Sequence, residues 1–233
     1  MKSPIKKLTL TLIAIATLGA TSALAVPQVK MNADSTLTAA NYNAKPNGEL
    51  NWVLDNYDSK AKSADGNWFG TFCIEKNEYF QNNGDHDVVL NDGSVNGGVS
   101  GAVNGKDTIS VGTAYLYEQF ALGSLTGFDY DRSKTGSGSL LQNTIWYLEG
   151  EINLSDVGGS TFLDLVDGLF TSPLANFTGS AVKAMNLTRP DGRRGQDQLV
   201  YTASVPDTGA TLSMLAFGII GLAAARRRLS FKK

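Results

Sequence analysis

The sequence predicts an α+β fold, in which one β-rich extracellular domain with two or three short helices lies between an N-terminal signal peptide and a C-terminal membrane helix. Three observations support this prediction. The 233-residue chain has a long apolar run near each end, 25 glycines with abundant Asn and Asp between them, and helical apolar spacing in three internal stretches. Gly, Asn and Asp form tight turns, so the composition is typical of short strands joined by turns.

Residues 1–25 have the pattern of a secretory signal peptide. Three lysines precede an apolar stretch at 8–19, and small residues at Ala23 and Ala25 frame a cleavage site. We expect the chain to pass through the export translocon and signal peptidase to cut after Ala25, so that the mature protein starts at Val26. An uncleaved N-terminal anchor is the alternative.

Short apolar segments between turns predict the strands of the domain. The clearest runs from Trp68 to Ile74, where aromatic and small residues partly alternate. A polar, extended segment at 26–50 precedes it, and 51–57 is expected to pair with a neighbouring strand. A Gly- and Asn-rich loop is expected at 91–107. The predicted strands are 68–74, 88–90, 108–111, 181–187 and 198–202.

Three stretches have apolar residues at the i, i+4 spacing of a helix. The predicted helices are 113–122, 139–149 and 161–170. Gly123 is a natural stop for the first helix, and Ser160 is a candidate N-cap for the third. In the second helix, Ser139 and Gln142 have the spacing of a capping box, and 136–139 is expected to be a flexible loop.

Residues 205–233 form a tail in three parts. A turn-prone motif is followed by an uncharged apolar run at Leu212–Ala225 and by a basic stop at 226–233. The motif consists of Val205, Pro206, Asp207, Thr208 and Gly209, and the basic stop opens with Arg226, Arg227 and Arg228. The run would make a transmembrane helix of about 21 Å, short for a hydrocarbon core of about 30 Å. Such marginal retention suits a segment that an enzyme recognises and removes.

The order of these parts resembles the PEP-CTERM family of sorting tails, and most closely the variant written VPDSG, with Thr208 in place of Ser. The resemblance implies processing by an exosortase in a bacterium of Gram-negative type that makes exopolysaccharide. It implies transient anchoring in the inner membrane, followed by a cell-surface or extracellular-matrix location. A sortase is a second interpretation, because the motif differs from LPXTG only at its first position. A plain C-terminal anchor is a third.

Residues 26–204 then form the ectodomain. The segment from Val26 to Pro206 contains twelve Lys/Arg and twenty-one Asp/Glu, which gives it a formal charge of −9. Nucleic-acid binding is excluded because phosphate contact needs a basic face. The arginine cluster is expected to stay inside the cell, which places the ectodomain outside.

Cys73 is the only cysteine, so it cannot form an intramolecular disulfide and suggests either intermolecular pairing or a special thiol. Its segment, TFCIE, and a later one, LQNTIW, together resemble the thioester domains of bacterial surface adhesins. That family has an aromatic-Cys motif and a Thr-Gln-x-Ala-Ile/Val-Trp motif, and Leu141 and Thr144 depart from the second. The resemblance implies an internal thioester between Cys73 and Gln142, opened by a lysine amine or a sugar hydroxyl. A packed cysteine and a capping glutamine are the alternatives.

Other chemistry has little support in the sequence. His86 is the only histidine and is expected at the surface, and the acidic residues around it lack the Gly and Glu of a calcium loop. No metal site, cofactor or phosphate loop is predicted. We therefore expect a non-enzymatic surface or matrix protein with a structural or adhesive role, with exopolysaccharide or a surface nucleophile as its partner. The second hypothesis is a secreted polysaccharide hydrolase that uses Glu149 and Glu151.

Overall fold

A computed structural model of the chain describes residues 26–95, 105–134, 136–179 and 181–203. The predicted signal peptide, sorting motif, transmembrane helix and basic stop lie outside these residues. Within the described ranges, no helix has the length and apolarity needed to span a membrane.

The part of the chain that the structure describes contains eight strands in two antiparallel sheets. They are β1 (Gln28–Asn32), β2 (Tyr42–Asn47), β3 (Phe69–Thr71), β4 (Asp85–Asn91), β5 (Gly93–Val95), β6 (Lys106–Thr108), β7 (Val182–Thr188) and β8 (Gln198–Tyr201). The main sheet has the order β3-β2-β1-β4-β7-β8, and β5 and β6 form a separate ribbon. Val88 of β4 pairs with Leu187 of β7 at the centre of the main sheet, and both side chains are buried.

The two edge strands of the main sheet meet, so the sheet is nearly closed. The backbone N–H of Leu199 in β8 donates to the carbonyl of Phe72 at 3.0 Å, and the N–H of Ile74 donates to the carbonyl of Asp197 at 3.1 Å. Between these bonds, Cys73 lies directly opposite Gln198. Closure gives both edges a partner, so neither is left as a long unpaired template for association.

Three α-helices pack with the sheet: α1 (Val111–Ala121), α2 (Gly136–Leu148) and α3 (Thr161–Leu169). The four 3₁₀ helices of the described residues are Ser35–Leu37, Gly48–Asn56, Ser59–Ala61 and Leu154–Asp156. The hydroxyl of Ser110 caps α1 by accepting from the N–H of Thr113, and Ser160 caps α3 by accepting from the N–H of Phe162. Each cap satisfies one of the amide groups that a helix start leaves without an intrahelical acceptor.

Aromatic side chains of α1 fill the interior. The ring of Phe120 packs edge-on against Phe72 at 5.1 Å between centroids. The hydroxyl of Tyr117 donates to the carbonyls of Gly70 and Leu199 at 3.1 and 3.0 Å, joining the strands on either side of the closure. A Cβ on Gly70 would lie 2.6 Å from the Phe120 ring, so the contact requires glycine. The helix and the closed sheet therefore share one core.

The prediction of a β-rich fold with short helices is confirmed for the described residues, and the differences are local. Residues 51–57 do not form a strand, since most of them continue the 3₁₀ helix Gly48–Asn56. The strand predicted at 108–111 is wrong because β6 ends at Thr108 and α1 begins at Val111. The loop predicted at 91–107 contains β5 and β6.

Residues 136–139 form the first turn of α2 rather than a loop. A Cβ on Gly138 would lie 2.7 Å from the carbonyl oxygen of Ala39. Tertiary packing against that backbone accounts for a glycine-rich helix start that propensity alone disfavours.

Candidate functional site

The structure brings Cys73 and Gln142 together. Cys73 follows β3 and Gln142 lies on α2, and their exposed fractions are 0% and 1%. The Oε1 atom of Gln142 accepts from the backbone N–H of Cys73 at 2.8 Å, and its Nε2 donates to the carbonyl of Cys73 at 2.8 Å. One carboxamide therefore satisfies both main-chain groups of the cysteine.

The end of a strand pairing explains this contact. The register of β2 with β3 stops at Tyr42 opposite Thr71, so β2 offers no partner to Cys73. On the opposite side, the main-chain groups of Phe72 and Ile74 hydrogen-bond to β8 and to the residue before it. In this antiparallel pairing, the N–H and carbonyl of the intervening Cys73 point away from β8. Buried main-chain groups need partners, and the Gln142 amide replaces the missing strand.

The capping role predicted for Gln142 is wrong. The helix starts at Gly136, so Ser139 lies inside α2 rather than at its N-cap. The hydroxyl of Ser139 is directed instead to the side chain of Asn41, at 3.4 Å. Gln142 is thus buried because its side chain hydrogen-bonds the main chain of Cys73, and not because it caps the start of the helix.

A further side chain contacts the sulfur of Cys73. Nε2 of Gln198 donates to Sγ at 3.0 Å. Burial raises the pKa of Cys73 to about 12, and the side chains of Gln198 and Tyr42 act on this pKa in the opposite direction. The thiol therefore keeps its proton at neutral pH.

An acidic cluster lies beside this site. Its members come from the segment after β3, from β6, from the residues that follow α2 and from the residue before β8; they are Glu75, Glu78, Asp107, Glu149, Glu151 and Asp197. Among the described residues, no three metal-ligating side chains are placed to hold an ion together. The sequence did not single out Glu75, Glu78, Asp107 or Asp197, since the cluster exists only where these separate segments meet.

Burial dominates the electrostatics of the acidic cluster. It raises the pKa of Glu75 to about 8, with Glu151 and Glu78 adding to the effect. It likewise raises the pKa of Glu78 to about 7 and the pKa of Asp197 to about 6. Glu75 is 0% exposed, and Ser94 donates to its Oε1 while its Oε2 has no partner among the described residues. These carboxyl groups therefore stay protonated at pH values at which exposed carboxyl groups are already ionised.

The carboxylates proposed for a hydrolase have different surroundings. Oε1 of Glu149 accepts from the N–H of Ser110 at 3.1 Å, whereas Oε2 of Glu151 accepts from the N–H of Lys76 at 3.0 Å. Glu149 and Asp107 line a groove of about 190 Å³ together with Tyr147, and Glu151 does not line it. Burial raises the pKa of Glu149 to about 7 and the pKa of Asp107 to about 6.

The prediction of a surface histidine is wrong. His86 lies in β4 with its side chain buried, and its Nδ1 is 3.0 Å from the carbonyl oxygen of Gly84. Burial lowers the pKa of this imidazole. The neighbouring Asp85 and Asp87 belong to the same strand rather than to a calcium loop.

Comparison with known proteins identifies the other functional segment, the tail. A family model described as the VPDSG-CTERM motif matches residues 204–229. The tail is a VPDSG-CTERM sorting signal. The resemblance drawn from residues 205–233 is thus confirmed, with exosortase as the processing enzyme that a PEP-CTERM-like signal implies.

The VPDSG-CTERM signal covers only the C-terminal part of the chain, and it indicates where the protein is sent rather than what it does there. It implies export and a surface or extracellular location, so the chain is an exosortase-sorted exported protein. No curated protein and no solved structure matches the chain. The role of the ectodomain therefore has to be argued from its own residues.

Proposed function

We propose that the ectodomain of this exported protein acts as a structural or adhesive component of the cell surface or matrix, through an internal thioester between Cys73 and Gln142. The contact that supports this proposal is the paired hydrogen bonding of the Gln142 carboxamide to the main chain of Cys73, at 2.8 Å for both bonds. It holds the amide carbon of Gln142 on the residue that carries the only thiol of the chain.

Thioester formation is an acyl transfer within this pair. Sγ of Cys73 attacks Cδ of Gln142, a C–S bond forms, the C–N bond breaks, and the thiol proton leaves with the nitrogen as ammonia. The developing oxyanion is Oε1 of Gln142, which already accepts from the N–H of Cys73 at 2.8 Å. A main-chain donor placed in advance on that oxygen is the arrangement that stabilises tetrahedral intermediates. Because the thiol is protonated, its proton moves during the attack rather than before it.

Opening the thioester fixes the protein to its target. A primary amine or a hydroxyl attacks Cδ of Gln142 and forms an amide or ester bond. The C–S bond breaks, and the proton of the attacking group passes to the sulfur, which leaves Cys73 as a free thiol. Each protein molecule reacts once, which suits adhesion rather than turnover. Complete burial of Cys73 and Gln142 shields the bond from water before the target arrives.

Intact-mass measurement of the mature protein tests the proposal. We expect a mass one ammonia lower than the sequence requires, and uptake of methylamine at Gln142. Cys73→Ala and Gln142→Ala should restore the full mass expected for each variant. Gln28→Ala, which changes an exposed glutamine, should still lose ammonia. Full mass in the native protein, with Cys73 freely alkylated, would overturn the thioester.

The alternative is a polysaccharide hydrolase, and the groove lined by Asp107, Glu149 and Tyr147 favours it. A carboxyl group that keeps its proton near neutral pH can act as a general acid, and burial raises the pKa of Glu149 to about 7. Secreted protein would be screened for polysaccharide cleavage alongside Glu149→Gln and Asp107→Asn. Glu151→Gln is the control because Glu151 does not line the groove. Cleavage that both groove variants abolish would favour the hydrolase over the adhesive role.

A further inference from the structure

Two buried glutamines contact Cys73, and they contact different parts of it. Gln142 binds the main chain, whereas Gln198 at the start of β8 donates through Nε2 to the sulfur at 3.0 Å. Gln198 is 0% exposed, and its Oε1 has no hydrogen-bond partner among the described residues. Burying an amide with an incompletely paired oxygen costs stability, so packing alone does not account for a glutamine here.

The closure of the sheet places Gln198 on the sulfur. Cys73 and Gln198 are directly opposite each other where the segment after β3 pairs with β8. Directly opposed residues of antiparallel strands project their side chains to the same face, at close range. The sulfur is thus contacted from β8, while the carboxamide of Gln142 reaches the main chain of the same residue from α2.

We infer that Gln198 is a positioning residue, which holds the sulfur of Cys73 toward the carboxamide of Gln142 through its Nε2 donor. This inference rests on the proposed thioester. The Gln198 amide touches Sγ but not the carbon under attack, so it acts through Cys73 rather than as a reacting group. Restricting the sulfur to one position matters because misplacing a reacting atom by about 1 Å can slow a reaction by about a hundredfold.

The substitution Gln198→Met tests this role, because Met has a similar length and lacks the donor. Gln196→Met is the matched control. Gln196 is also buried in the segment leading into β8, but its amide donates to the carbonyl of Glu75. The full mature chain would be pulse-labelled, and ammonia loss would be followed by intact mass. We expect Gln198→Met to slow ammonia loss by about tenfold or more, and Gln196→Met to leave its rate unchanged.

The reactivity of the thiol gives a readout that a merely structural role would change in the opposite sense. The Gln142→Met background cannot form the thioester, so Cys73 stays free and the rate of its alkylation can be followed at about pH 9. Removing a donor from the thiolate disfavours the charged form, which is the form that reacts. Adding Gln198→Met should therefore slow alkylation of Cys73, whereas loosened packing would expose the thiol and speed it, and adding Gln196→Met should not change the rate.

The outcomes separate this inference from the proposed function. Ammonia loss in the native chain, with an unchanged rate of ammonia loss and unchanged or faster alkylation of Cys73 in the Gln198→Met variants, would overturn the positioning role and leave the thioester in place. A native chain at full mass would overturn the thioester and the positioning role together. Slower ammonia loss with slower alkylation of Cys73, both confined to Gln198→Met, would support the inference.

Discussion

Replacing Glu75 by glutamine should stabilise the protein at neutral and alkaline pH but not at acidic pH. Glu75 is completely buried, Ser94 donates to its Oε1, and its Oε2 has no partner among the described residues. Burial, with smaller contributions from Glu151 and Glu78, raises the pKa of Glu75 from 4.5 to about 8. Glutamine keeps the acceptor for Ser94, cannot ionise, and presents an N–H₂ donor to the neighbouring carboxylates.

The pKa difference sets the size of the effect. Between pH 4.5 and about 8 the folded chain binds more protons at Glu75 than the unfolded chain does. The free energy of unfolding therefore falls as the pH rises, by about 1.4 kcal/mol per pH unit. The contribution of Glu75 is fully present below pH 4.5 and is lost as the pH rises through about 8. At about pH 7 the loss amounts to about 3 kcal/mol, and Glu75→Gln should recover most of it.

Urea unfolding at about pH 5, 7 and 9 would measure this effect in the native chain, in Glu75→Gln and in Glu49→Gln. Glu49 is exposed, so Glu49→Gln controls for the loss of one negative charge from an acidic protein. We expect Glu75→Gln to gain stability steadily relative to the native chain as the pH rises. The same stability difference at all three pH values, or no difference at about pH 9, would refute the burial of an ionisable Glu75 as its cause.

Four further changes test the tail, the core and the ribbon. Deleting 226–233 or replacing Pro206 with Ala should leave the protein mislocalised with its tail uncleaved, as fractionation and intact mass would report. Tyr117→Phe removes the hydroxyl that bridges the closed strands, and calorimetry should show a loss of about 1–3 kcal/mol. Gly93→Ala would place a Cβ 1.8 Å from a carbonyl oxygen of β6, so urea unfolding should show a loss of more than about 1 kcal/mol.

Each of these changes has a control or an outcome that contradicts it. Unchanged location and mass after both tail changes would contradict sorting through these residues. Tyr115→Phe removes a hydroxyl from a half-buried tyrosine on the same helix and should cost less than Tyr117→Phe. Gly168→Ala meets no atom within 4 Å inside α3 and should stabilise the protein by up to about 1 kcal/mol. Equal effects at Gly93 and Gly168 would contradict the steric argument.

Local patterns predicted the helices and most strands, but not the contacts that shape the site. The stripe of Leu141, Ile145 and Leu148 marks α2 because helical spacing is a property of neighbouring residues. Gln198 looks like an ordinary polar residue at the start of a strand, and only the closure of the sheet places it on Cys73. The sequence around Glu75 likewise gives no sign that this residue is buried, because its burial depends on segments that are distant in sequence.

The Cys73–Gln142 site and the sorting tail also differ in how far the sequence predicts them. Cys73 could be singled out from the residues alone, because a lone cysteine in an exported chain is uncommon, whereas Gln142 was marked only by the resemblance of its segment to thioester domains. Their mutual geometry could not be predicted, since it depends on where the β2 pairing stops and on α2 starting at Gly136. The tail was the most predictable part, because its motif, apolar run and basic stop act in linear order.

The position of the closing strand in the chain ties maturation to secretion. β8 ends at Tyr201, and the sorting motif starts at Val205. A chain that crosses a membrane N-terminus first delivers β8 only just before the tail, so Phe72–Ile74 wait for their partner throughout translocation. Ring closure spans most of the domain and is intrinsically slow. The fold can therefore be completed only when nearly the whole chain up to the sorting signal is available.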